Sequence, residues 1–246
     1  MFPYHDENET ERTPVVTLAI IALCVLAWVG WQGAGSEKKV AESVCNMGLV
    51  AGELTGRAPV GSRIPMGDGM ACVVDPGPEY EHILTSMFLH GSWMHLLGNM
   101  WFLWLFGNNI EDSMTRPRFA VFYLLSGLAA ALLQVWTDPS SPVPMVGASG
   151  AISGVMGGYL ILYPRVKVYM IVPLGFWPLT FALPAWMTLI YWALLQLLGG
   201  FGGGEGGVAF WAHVGGFLAG MAMIKLFARR DRVAMHTASH WRPAIR

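Results

Sequence analysis

The chain has 246 residues, 54% of them hydrophobic and 13% charged, with thirty glycines and a net charge of −1. Soluble domains average roughly 25% charged residues, and glycine weakens a soluble helix by about 1 kcal/mol against alanine, whereas membrane helices use it for close packing. The composition points to an all-α membrane protein and gives no sign of a nucleic-acid or polyanion partner.

In chain order, the first apolar run is 15–31. It follows an acidic segment (Asp6, Glu7, Glu9, Glu11) and is long for the core of a signal peptide, so it reads as an uncleaved first span. Five further charge-free stretches lie at 93–110, 119–136, 149–163, 168–198 and 208–224. A span needs about 20 mostly apolar residues. The stretch 168–198 is too long for one span and contains Pro173, Pro178 and Pro184. Its first third is therefore expected to be loop or interfacial, with the helix proper from about 181 to 198.

The long segment 32–92 carries glycine, proline and acidic residues and reads as a partly folded lid, its end at 83–89 apolar enough to dip into the interface. The proline-rich stretch 137–145 reads as a plain extracytoplasmic loop, and 199–207, which includes Glu205, as a glycine-rich hinge. Cys45 and Cys72 both fall in 32–92. In an oxidising compartment they can pair; otherwise they are free thiols, and Cys24 is a buried small hydrophobe.

Six spans put both ends of the chain on one side. That side receives Arg12, Arg116, Arg118, Arg165, Lys167 and the six basic residues from Lys225 to Arg246, eleven of the fifteen in all. By the positive-inside rule it is cytoplasmic. The expected layout is a cytoplasmic segment 1–13, a six-span domain 14–228 and a basic cytoplasmic tail 229–246.

The second, fourth and sixth spans then all enter from the extracytoplasmic side, and each carries a polar residue soon afterwards: His95 and Asn99, Ser149, and His213. At 1.5 Å per residue, Asn99 and His213 lie roughly 8–9 Å below the surface. Polar groups at such depth are costly and usually functional. A lone serine in a membrane helix is more often a packing residue or bonded back to its own helix, so it is the convergence of four groups that carries weight. Gly150, Gly154 and Gly158 recur every four residues in the fourth span, and Gly216 and Gly220 in the sixth. Such faces let backbones approach, which would bring the Ser149 hydroxyl to the His213 imidazole. Serine becomes a nucleophile when a neighbouring base takes its proton, and the resulting oxyanion needs preplaced donors. The Ser149 N–H at a helix start, the Asn99 amide and His95 can supply them. No carboxylate lies in the spans to complete a triad. The G-x-S-x-G elbow is not met, since Ala151 stands where the last glycine would be, and no H-E-x-x-H occurs.

These residues resemble the rhomboid family. Gly147-Ala148-Ser149-Gly150 matches its G-x-S-G signature; Ala212-His213 with Gly216 and Gly220 matches the last-span signature; His90, His95 and Asn99, followed by Gly107 and Glu111, match the pattern of the second span. The resemblance implies a six-transmembrane-helix bundle that cleaves membrane-anchored protein substrates near the extracytoplasmic face. It implies Ser149 as nucleophile, His213 as base and His95 with Asn99 at the oxyanion, without metal, ATP or another cofactor. Gly147 and Gly150, which flank the serine, are the expected substrate-binding positions, and Glu111 matches a glutamate that helps hold the first loop. The chain departs from the family in two places. Glu81-His82 stands where a Trp-Arg pair is common, and Ser153 where some members stack a tyrosine on the histidine. Ser153 would then hydrogen-bond the imidazole or simply pack.

Two other readings differ in class. An inactive client-binding relative needs none of the four polar residues. A transporter using His95 and His213 needs an ionisable path through the bilayer, and the cytoplasmic halves of the spans offer little beyond Asn108, Asn109 and Gln196. The implied setting is a prokaryotic plasma membrane, with the lipid bilayer and transmembrane substrates as partners and an open oligomeric state.

Overall fold

The computed structural model describes residues 2–67, 69–174, 177–202 and 207–233. In chain order these form β1 (Phe2–Asp6), α1 (Val15–Leu26), α2 (Glu37–Met47), β2 (Leu49–Val50), α3 (Ala51–Thr55), β3 (Arg63–Gly67), β4 (Met70–Val73), α4 (His82–Thr85), α5 (Trp93–Asp112), α6 (Arg116–Thr137), β5 (Pro144–Met145), α7 (Ser149–Leu162), β6 (Lys167–Val172), β7 (Leu179–Pro184), α8 (Ala185–Phe201) and α9 (Phe210–Phe227). The expected all-α architecture therefore needs amending, because short strands join the helices at both ends of the bundle. Glu205 and most of the basic tail (234–246) lie outside the described residues.

The helix α7 is the centre of the bundle, buried from Gly150 to Leu160, with α5, α6 and α9 packed around it. It can be short because it begins inside the protein. Its closest neighbour is α9, and the glycines explain why. A Cβ on Gly216 would lie 1.9 Å from the Gly150 carbonyl oxygen, and one on Gly220 1.9 Å from that of Gly154. The expected faces thus meet as the pairs 150·216 and 154·220. Gly157, outside that spacing, also joins the contact, since its Cβ would stand 2.1 Å from the Phe217 carbonyl oxygen. Around this seam the core is filled by Phe106, Phe119, Phe122, Tyr123 and Tyr159, all essentially inaccessible.

The helices α6 and α9 are long and apolar enough to cross a membrane, and α1, α7 and α8 are shorter apolar helices. Large apolar side chains face outward along them, including Leu23 and Leu26 of α1, Leu132 of α6, Leu194 and Leu198 of α8, and Leu218 of α9.

The stretch ahead of α8 is part strand and part connection: Pro173 follows β6, Pro178 precedes β7 and Pro184 ends it, so the helix begins at Ala185 rather than near 181. β6 and β7 form an antiparallel hairpin ahead of α8, and β1 pairs with the outer edge of β6, giving the sheet order β1-β6-β7. The acidic segment before α1, with no structure expected of it, is thereby pinned. The Asp6 carboxylate accepts hydrogen bonds from Tyr159 OH (2.5 Å) and Asn109 Nδ2 (3.0 Å), and Trp101 Nε1 donates to the Pro3 carbonyl (2.7 Å). Burial holds the Asp6 carboxyl up at about 7, against the lowering effect of the tyrosine hydrogen bond.

The segment 32–92 is folded through α2, α3, the β3–β4 hairpin and α4. Cys45 and Cys72 are joined in a disulfide, while Cys24 is free and buried. In place of the Trp-Arg pair, the buried His82 pairs through Nδ1 with Glu79 (3.0 Å), and the buried Glu53 accepts the Asp75 N–H (2.9 Å). Gln32 joins the two ends of this segment, donating to the His90 carbonyl (2.8 Å) and accepting from its N–H (2.9 Å). The proline-rich stretch 137–145 is also tied down, β5 pairing with β2. Glu111 does not hold this loop. It caps the start of α1, accepting from the N–H groups of Val16 (2.9 Å) and Thr17 (2.8 Å) and from the Thr17 hydroxyl (2.8 Å). It reaches α1 because α1 packs antiparallel to α5, whose last turn carries it.

Candidate active site

Ser149 is the first residue of α7, where the opening N–H groups have no acceptor within the helix and the dipole is positive. Its hydroxyl is held by geometry set in the chain just before it. Gly147 adopts φ +128°, a conformation that side chains rarely tolerate, and its N–H donates to the Ser86 carbonyl at 2.8 Å. A Cβ there would also strike His95 Nε2 at 2.7 Å.

His213 lies one turn into α9, immediately before the glycine seam, so the seam fixes the distance across to α7. Ser149 Oγ and His213 Nε2 are 2.8 Å apart. His213 Nδ1 is 2.8 Å from Gln196 Oε1 of α8. The amide nitrogen of Gln196 has the Trp192 carbonyl as its own acceptor (3.4 Å), which leaves the oxygen turned toward the ring. The Trp192 ring lies beside the imidazole with centroids 5.9 Å apart, tilted by 38°.

On the opposite wall, Ser92 caps α5 by accepting the His95 N–H (3.1 Å). His95 Nδ1 accepts the Gly91 N–H (3.3 Å), so the neutral ring carries its proton on Nε2, the atom that faces Gly147. Asn99 Nδ2 gives one of its hydrogens to the His95 carbonyl (2.9 Å), leaving the second N–H for another acceptor. His90 is fully buried with its ring edge-on to His95, centroids 5.1 Å apart; burial, with the neighbouring His95, pushes it down to about 3 and keeps it uncharged. A cavity of about 1040 Å³ joins these groups, with His95, Asn99, Ser149, Gly150, Trp192 and His213 in its walls.

The four polar residues singled out in the sequence thus line one chamber, together with Gly147 and Gly150. Ser153 turns away from the imidazole and bonds back to the Ser149 carbonyl (2.6 Å). The residue that sequence reasoning misplaced is Gln196. The sequence places it in the cytoplasmic half with Asn108 and Asn109, but α8 runs opposite in direction to α9, and its last turn meets the first turn of α9, Gly199 lying against Phe210 and Gly200 against Trp211. The direction of α8 and the spacing of Gln196 four residues after Trp192, which put both on one face, were the available signals.

The arrangement has relatives. The sequence profile of the Rhomboid domain matches residues 77–230. The chain is 30% identical over 138 residues to "Rhomboid protein 1, mitochondrial" of Saccharomyces cerevisiae, covering 52% of this chain and 40% of that protein. It is 33% identical over 149 residues to "RHOMBOID-like protein 5" of Arabidopsis thaliana, covering 60% of this chain and 44% of the relative. With "Rhomboid protease GluP" of Bacillus subtilis the identity is 35% over 82 residues, 33% of this chain and 16% of the relative. The matches span less than half the length of these proteins. The matched profile covers well over half of the present chain, from the end of the lid through α9, and it contains the whole of the chamber: the chain is a helical membrane protein of the rhomboid family.

Proposed function

We propose that the protein is an intramembrane serine endopeptidase that cuts membrane-anchored protein substrates near the extracytoplasmic face. The observation that carries this reading is the 2.8 Å approach of Ser149 Oγ to His213 Nε2 at the wall of a chamber that also holds His95 and Asn99. In this reading His213 Nε2 takes the hydroxyl proton as Oγ attacks the scissile carbonyl. The oxyanion is met by the Ser149 N–H, His95 Nε2–H and the free N–H of Asn99, and each such donor is worth on the order of 10²–10³ in rate. His213 then returns the proton to the leaving amine, and water releases the acyl group by the same steps in reverse. No step calls for a metal or cofactor. The spans are α1, α5, α6, α7, α8 and α9, with both ends of the chain cytoplasmic and the lid outside, in the plasma membrane of a prokaryote. Substrate reaches Ser149 laterally beside α8, of which only Ala185, Thr188 and Leu189 are buried.

Purified protein in detergent or liposomes, given a tagged single-span substrate, is expected to cleave it. Ser149→Ala and His213→Ala are each expected to lower the rate at least about 10³-fold while the proteins stay folded. Equal behaviour of all three would move the reading to an inactive, client-binding member of the family.

A further inference from the structure

We propose that Gln196 is a positioning residue for the base, so that the peripheral helix α8 supplies the third member of the catalytic arrangement. The inference rests on the assignment of Ser149 and His213 as nucleophile and base.

A dyad leaves one problem unsolved. Imidazole has two nitrogens, and only the tautomer with its proton on Nδ1 presents a lone pair at Nε2 to the serine. Something must select that tautomer and stop the ring turning about χ2. In soluble triads a carboxylate does both. Here the group within reach of Nδ1 is Gln196 Oε1 at 2.8 Å, an acceptor that can bond only to a protonated Nδ1. With its oxygen on the ring, the amide has its nitrogen toward the Trp192 carbonyl, 3.4 Å away. Trp192, one turn earlier on α8, lies beside the imidazole with centroids 5.9 Å apart, whereas Ser153 bonds to the Ser149 carbonyl. One helix face therefore supplies both a ring to confine the imidazole and an oxygen to hold its proton. A neutral amide does this in a low-dielectric chamber without the desolvation cost of a buried carboxylate. It also stabilises the imidazolium that forms in the transition state, a hydrogen bond to a charged group worth about 1.5–3 kcal/mol, or roughly 10- to 100-fold in rate.

The arrangement has a consequence for control. α7 and α9 are locked together by backbone contact, but α8 buries only three residues on the bundle. Moving α8 aside to admit a substrate helix withdraws Gln196 and Trp192 from the ring, so the base is fully set only once α8 has returned.

The test uses Gln196→Met, which keeps the length of the side chain and loses the acceptor, and Gln196→Glu, which keeps an acceptor at the same reach. Both are compared with wild type in liposomes at mildly alkaline pH, for cleavage of a single-span substrate and for the rate at which a small fluorophosphonate labels Ser149. The Met variant is expected to lose about 10- to 100-fold in kcat and in labelling rate with KM little changed, and the Glu variant to recover most of both. Labelling by the Met variant at the wild-type rate overturns the proposal. So does a rise in KM with kcat unchanged, which assigns Gln196 to substrate access. So does a Glu variant as slow as Met, which makes the loss one of packing. If the wild type itself is neither labelled nor active, it is the Ser149–His213 assignment that has failed, which is a different result.

Discussion

Asp6 shows how a single buried group can tie the ends of the fold together and make that tie depend on pH. Its carboxyl sits among Asn109, Tyr159 and the backbone of β1, and burial raises it to about 7 from an ordinary value of 3.8. The folded state thus holds the proton more tightly than the unfolded chain does. The stability this gives is fully present below about pH 4 and is lost as pH rises through 7, by at most about 4 kcal/mol. Asp6→Asn keeps an oxygen acceptor for Tyr159 and has nothing to ionise. Its melting temperature in detergent is expected to exceed that of wild type at pH 8, to match it near pH 5, and to vary less between them. A variant less stable at both values would show that the amide does not replace the hydrogen bonds of the carboxyl. Single residues also fix the geometry of the chamber. Gly147 at φ +128° brings His95 Nε2 against the strand leading to Ser149, and the Gly91 N–H selects the tautomer that can donate there.

At the scale of elements, the seam between α7 and α9 sets the distance between Ser149 and His213. Ser149 directly precedes the seam glycine Gly150 and His213 lies three residues before Gly216, so their spacing is inherited from backbone contact rather than adjusted by side chains. Gly216→Ala would place a methyl 1.9 Å from the Gly150 carbonyl oxygen, and rigid backbone cannot yield as a side chain can. The expected result is a loss of about 1–3 kcal/mol in stability together with a large drop in labelling of Ser149, because the helices separate where Ser149 and His213 meet. Gly30→Ala, with no atom within 4 Å of the added carbon, is the control and should change neither. A Gly216→Ala protein of normal activity would mean that the bundle can part at the seam without disturbing the chamber. Much of this seam was legible in the four-residue glycine spacing, since that pattern has few other uses in apolar helices. Gly157 was not, because it contacts Phe217 from outside the repeat, and only the crossing of the two helices brings it there.

For the whole molecule, the segment 32–92 is a layer closed by covalent and polar links and joined to the bundle through the β2–β5 pair. The Cys45–Cys72 bridge joins α2 to β4 across 27 residues, and the pairs His82–Glu79 and Gln32–His90 hold the remainder. Closing a loop of that length is worth about 3–4 kcal/mol in the unfolded state. Replacing both cysteines by serine is expected to speed proteolysis within 32–92 several-fold while the melting of the helical bundle, followed by far-UV circular dichroism, hardly changes. A parallel fall in bundle stability would show that lid and bundle unfold together.

What the sequence determined by itself was the helical membrane class, the bounds of the long helices to within a few residues, the family, and the four polar residues that line the chamber. These follow from patterns that are local in the chain: apolar length, glycine period, and polar side chains where a bilayer penalises them. Only the tertiary structure decided three other things. It paired β1 with β6, an edge contact between segments some 160 residues apart that no local period records. It moved Glu111 from the lid to the start of α1, because a carboxylate finds the free N–H groups that packing brings to it. And it carried Gln196 to the imidazole. A lone amide in an apolar helix shows only that it must find a partner; which partner depends on how α8 lies across α9.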